Sequence, residues 1–220
     1  VSVSTWTSWV CLVWTAVSAT ACVDSLPPSS TTGVGNPGRL AFATEPGDGV
    51  DLAWGDVWVS SVVSLPCDPI GEAVVLAEGI RIPVLDGAAL TVPPGPSCGF
   101  GLRMQDDLFF DGTSQAGGQV KLYLDIPTLD VFTGTAFEVD GDAFGLLLGA
   151  PGWLTAEAIG ATGSDLVTID TGSAVHDTLV DVFVLGSRVW RDADADGVFD
   201  EGEAIVARAT PDDDDVPPEP

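Results

Sequence analysis

Between Gln119 and Ile126 the chain reads QVKLYLDI, with Val120, Leu122, Leu124 and Ile126 apolar and Lys121, Tyr123 and Asp125 between them. A period of two is the period of a strand, because successive side chains leave opposite faces of the pleat. The same habit recurs along the chain. Asp56–Leu65 puts Val57, Val59, Val63 and Leu65 on one face, and Ile80–Leu85, Leu90–Val92 and Cys98–Met104 are short apolar runs bounded by Gly and Pro. Thr128–Phe132, Ala136–Val139, Leu166–Ile169 and Val175–Leu185 extend the series, and Trp153–Ile159 reads as the one short helix. The 26 Gly and 16 Pro supply a turn signal every ten residues or so. Short strands at that spacing build a sandwich or a barrel. The expectation is an all-β chain, an antiparallel β-sandwich with at most one short helix, formed by residues 39–209. At 220 residues there is room for one domain of fair size, or two small ones.

The charge narrows the partners. Thirty-three acidic and seven basic residues leave a net charge of −26, and eleven of the acids lie between Asp192 and Glu219. Phosphate backbones are bound by Lys and Arg, so no nucleic-acid partner is expected. Calcium, a cationic surface, solubility or a high-salt habitat suit such a chain better. The last residues, 210–220, include PDDDDVPPEP, a composition that cannot bury a core and reads as a disordered acidic tail.

The densest acidic stretch has a spacing. Asp192–Glu203, DADADGVFDEGE, fits the D-x-[DN]-x-[DN]-G-x₅-E pattern at every fixed position. Asp192, Asp194 and Asp196 take loop positions 1, 3 and 5, and Gly197 takes the sharp turn at 6. Val198 offers its carbonyl at 7, Asp200 acts at 9 directly or through water, and Glu203 binds bidentate at 12. Five carboxylates at ligand positions within twelve residues repel one another unless a cation lies between them. The expected cofactor is Ca2+, and the other reading is an acidic turn without an ion. The loop resembles those of EF-hands, dockerins and the calcium-binding B-type repeats of staphylococcal adhesins. An EF-hand needs a helix on each side, whereas the lead-in Leu179–Arg191 reads as strand and Pro211 cuts short any exit helix. A dockerin would carry a second loop. The adhesin repeat is the nearest likeness, and it implies a static clip rather than a sensor.

Residues 1–22 begin with Val1–Ala21, an uncharged apolar run sprinkled with Ser and Thr, and end in Ala-Thr-Ala-Cys22. Small residues before a cysteine resemble the lipobox of bacterial lipoproteins. The resemblance implies cleavage before Cys22, lipidation of Cys22, membrane attachment through that lipid alone and, with Val23 next, placement at the outer membrane. Ala19 stands where Leu is usual, and the first basic residue is Arg39. Secretion with cleavage after Ala21 is the alternative. Residues 23–38, rich in Pro, Ser, Thr and Gly, read as a tether. Cys11 leaves with the signal, so Cys67 and Cys98 remain as an even pair in an oxidising compartment, where a disulfide is expected. Leu65-Pro66-Cys67-Asp68, Pro83-Val84-Leu85-Asp86 and Val92-Pro93-Pro94-Gly95 resemble uncharacterised β-sandwich domains of bacterial lipoproteins over Asp51–Leu124, a likeness that carries no activity.

Other candidates are thinner. Asp170-Thr171-Gly172-Ser173 after a strand resembles the active-site turn of aspartic proteases, but no second D-[ST]-G exists and the chain is too short for the flap before Val184-Leu185-Gly186. It is also a good β-turn. His176, the sole histidine, reads as a surface residue. Trp54 and Trp58 share a strand face, and with Trp153 and Trp190 they either pack or, if exposed, stack on sugars; packing is the expectation. Asp48-Gly49 and Asp140-Gly141-Asp142 are weaker acidic turns. The sequence carries no catalytic constellation. The expected function is an exported calcium-stabilised surface or periplasmic module with a structural, adhesion or binding role and a cell-surface protein or glycan as partner. A carbohydrate-binding module is the alternative, and an aspartic-type hydrolase ranks last.

Overall fold

A computed structural model describes residues 35–68, 70–200 and 202–209, all within one compact unit. Residues 1–22 with Cys22, most of the tether and the tail lie outside the described residues. In chain order the elements are β1 (Gly38–Ala43), β2 (Val50–Leu65), β3 (Val74–Pro83), β4 (Ala89–Val92), β5 (Gly95–Met104) and β6 (Leu108–Ser114). Then come β7 (Gln119–Leu124), β8 (Thr128–Val139), β9 (Ala143–Leu147), β10 (Val167–Ile169), α1 (His176–Gly186), β11 (Arg188–Arg191) and β12 (Ile205–Ala209). Strands take up 51% of the described residues, so the β class holds, and the one short helix among them is α1 rather than Trp153–Ile159.

The sheet is one continuous path, β10-β7-β6-β2-β5-β8-β12-β11-β9-β1-β4, with β3 on β2, and it curls into a half-barrel rather than separating clearly into two sheets. The curl follows from three long runs. β5 and β6 follow one another along β2, first Leu65↔Gly99 to Val59↔Met104, then Asp56↔Phe109 to Val50↔Ser114. β7 and β8 likewise follow one another along β6 and β5. Register shifts at Leu52/Trp54 and Val59/Ser61 sit within β2. An extra residue on one strand bends it and raises its twist, which is how a long ladder turns a corner. The pairing is not wholly antiparallel, because β1 runs parallel to β9 and β10 parallel to β7.

One core fills the curl. Phe100 of β5 meets Phe144 of β9 at 6.3 Å, and Phe137 of β8 packs on both. A second aromatic group, Phe110, Trp153 and Phe183, closes the end where α1 sits. Here the sequence expectation fails. Val175–Leu185 is helix rather than strand. Its residues satisfy either period, and α1 buries His176, Leu179 and Phe183 at helical spacing. Packing of Phe183 against Phe110 and Trp153 overrides the strand propensity of a Val-rich run. Trp153–Ile159 is a succession of turns instead of the helix, closed by Ala161 N–H on the Ala156 carbonyl at 2.8 Å.

Candidate metal site

The acidic loop joins β11 to β12 without flanking helices. Asp192 follows directly on β11, and its N–H donates to the Ala143 carbonyl at the start of β9, 3.0 Å. That fixes the first position of the loop to the sheet and leaves the residue 3% exposed. The chain then turns through Ala195, φ 62°, and Gly197, φ 82°. A left-handed non-Gly residue is strained unless its surroundings hold it. Arg39 of β1 does so, donating from Nη1 to the Ala195 carbonyl at 2.8 Å.

Asp192, Asp194 and Asp196 each present a carboxylate oxygen within 4.8 Å of the other two. Asp192 Oδ2 accepts the Gly197 N–H at 2.9 Å, while Oδ1 is buried with no hydrogen-bond partner. A buried anionic oxygen without a partner is costly, and native folds rarely leave one. Asp196 Oδ1 accepts the Val198 N–H at 2.7 Å, turning the Val198 peptide. Glu203 accepts the N–H of Ala193 at 2.8 Å and of Asp200 at 3.0 Å, one on each carboxylate oxygen, so it ties the two ends of the loop together. The three aspartates are thus gathered into one oxygen cluster. Glu203, Asp200 and Val198 border it without joining that cluster, and Val198 points its side chain to solvent. Hard oxygens, one of them buried and unpartnered, suit a hard cation. Among the described residues no other group of three or more His, Cys, Asp or Glu is so placed.

Burial pushes the Asp192 carboxyl above its ordinary range. The Gly197 and Ala195 N–H groups oppose that rise, and Glu203 and Asp196 add to it. An acid held more tightly protonated in the fold than in the unfolded chain weakens the fold as pH rises from the ordinary carboxylate range through the raised value. Without metal, therefore, Asp192→Asn is expected to match or exceed the parent in stability at neutral pH, by on the order of 1 kcal/mol. It is also expected to lose this group's gain on acidification. Chemical unfolding in chelator at several pH values checks both.

The other sequence candidates fall elsewhere. Asp170 is exposed, and its Oδ1 accepts the Gly172 N–H at 3.0 Å within its own turn. His176 is 4% exposed rather than a surface residue; Nδ1 faces Asp177 at 3.0 Å, and Nε2 accepts the Asp125 N–H at 3.4 Å. Asp142 bridges to Arg191 at 3.0 Å. Cys67 and Cys98 lie at disulfide distance, Cα atoms 5.0 Å apart. Trp153 and Trp190 are buried, but Trp54 and Trp58 are 49% and 44% exposed, against the packing expectation. Sequence reasoning missed Arg39 as the clamp on the loop, because its partner lies 156 positions away and leaves no local signal. Comparison with protein-family models, curated proteins and solved structures gives no match.

Proposed function

We propose that this chain is an exported calcium-binding β module. In it, Asp192, Asp194, Asp196, the Val198 carbonyl, Asp200 and Glu203 hold one Ca2+ that clips the β11–β12 connection. The observation that carries the reading is the buried, unpartnered Oδ1 of Asp192, in a carboxylate gathered with those of two further aspartates. The place of the loop gives the clip its purpose. β12 meets β8 over only two residue pairs, Arg208↔Phe132 and Ala209↔Val131, and the strand path between the halves of the sheet runs through that joint. A cation that fixes the β11–β12 hairpin fixes the weakest seam. The facing of Phe100 and Phe144 across the core supports reading the curled sheet as a sandwich whose layers share their long strands. A lipid on Cys22 would hold the module at the outer membrane, with a cell-surface protein or glycan as its partner.

Thermal unfolding of the full chain in calcium and in chelator tests the clip. Binding to the folded form alone stabilises by about 2.7 kcal/mol at a hundredfold excess over Kd. A rise in Tm with calcium that Glu203→Gln abolishes is the expected result. An unchanged Tm in millimolar calcium would remove the proposal.

A further inference from the structure

We propose that the outer face of β2 and its neighbours is a binding platform for a neutral polysaccharide, separate from the acidic loop. Along β2 the inward positions are Gly55, Val57 and Val59, so Trp54, Asp56 and Trp58 point outward together. The outward row continues across the sheet through register. Asp56 pairs with Phe109, and Phe109 with Tyr123, the two rings 5.0 Å apart. A wet sheet face is ordinarily polar. This one carries four aromatic side chains, two of them about half exposed.

The polar groups among them are held in place. Asp56, 6% exposed, accepts from Trp54 Nε1 and from the Arg81 guanidinium, which also lies over the Trp54 ring at 4.7 Å. The buried carboxylate fixes both the indole and the guanidinium, so neither has to be ordered when a ligand arrives, and a preorganised surface loses less on binding. Charge then selects the ligand class. Arg81 and Lys121, two of the seven basic residues, lie beside Asp56 and Asp111, and Asp51, exposed on β2 and paired with Thr113, adds to the −26 of the chain. Asp111 pairs with Trp54 and Lys121 with Asp111, so all four charges share the face. Such a face does not repel an uncharged chain, whereas an anionic chain would meet the field of the whole molecule. A lipid surface would have to take four charged side chains out of water. A pyranose suits both components, with its C–H face on an indole and its hydroxyls on the Arg81 guanidinium and the half-buried Asp111 carboxylate. Four residues of strand place Trp54 and Trp58 about 13 Å apart. That span takes in more than one ring, which makes the ligand a sugar chain rather than a monosaccharide.

Native gel electrophoresis of the full chain through gels containing mixed-linkage β-glucan, galactomannan, arabinoxylan or amylopectin tests this. Retardation by at least one is expected, weakened tenfold or more by Trp58→Ala and by Trp54→Ala but not by Leu185→Ala, an exposed apolar control. Circular dichroism confirms that each variant is folded. Three results would overturn the proposal. One is free migration of the folded parent in all four gels. Another is retardation that both Trp variants retain. The third is concentration-dependent self-association, measured by sedimentation, that Trp58→Ala abolishes, which would make the face an interface between copies.

Discussion

Trp190→Ala is expected to destabilise the fold by about 3–5 kcal/mol, the range for truncating a fully buried large side chain. Trp190 is 0% exposed, on the face of β11 opposite Val189. Its ring lies across Gly145 of β9, its register partner, where an added Cβ would overlap the indole. On the loop side it meets Phe199 edge-on at 5.7 Å. Gly145→Ala alone must displace the ring and is expected to cost about 1–3 kcal/mol or more. The two changes share one contact, so the double variant should cost little more than Trp190→Ala alone, a large departure from additivity. Trp190→Phe should be far milder than Trp190→Ala. It keeps much of the volume and removes Nε1, a buried donor without a partner. Urea unfolding of the four variants reads all of this, and additive costs would show that the ring does not rest on Gly145. Phe199 belongs to the acidic loop, so the same indole reports loop closure: its emission should shift red when calcium is withdrawn.

The second large effect is at the cysteine pair. Cys67 follows β2 and Cys98 is buried in β5, at the end of the β2–β5 ladder where Leu65 pairs with Gly99. The pair spans 31 residues that contain β3 and β4. A bond closing that loop removes chain entropy from the unfolded state, worth about 3–4 kcal/mol. Cys67→Ala with Cys98→Ala is expected to lose that amount in urea unfolding, and reduction of the parent should lose about the same. A loss under about 1 kcal/mol would mean that the unfolded loop is already constrained or that the bond does not form.

What could be read from the sequence depended on how local each signal is. The gathering of Asp192, Asp194 and Asp196 was legible because they lie within five residues and their spacing is set by a single turn. The β class was legible from alternation in runs such as Gln119–Leu124, which is a strand with alternating exposure. The helix was not, because Leu179-Val180-Asp181-Val182-Phe183 satisfies both periods and only the packing of Phe183 against Phe110 and Trp153 decides. Nor were the parallel pairings of β1 with β9 and β7 with β10, since register between distant segments leaves no trace in either one. The strand around Trp54 and Trp58 was ambiguous for a related reason. Both of its faces are apolar in sequence, with Gly55, Val57 and Val59 on one and the two tryptophans on the other. Asp56 marks the outer face only once Arg81, on β3, is beside it.

The most direct test of the calcium clip is isothermal titration of the intact chain with calcium chloride after chelation and buffer exchange. One saturable site per chain is predicted, absent from Asp192→Asn and Glu203→Gln, with affinity falling as pH is lowered through the raised Asp192 value because protons compete for the same oxygens. No saturable heat in millimolar calcium, or the same isotherm in both variants, would contradict it and leave the Asp192–Glu203 loop an acidic turn.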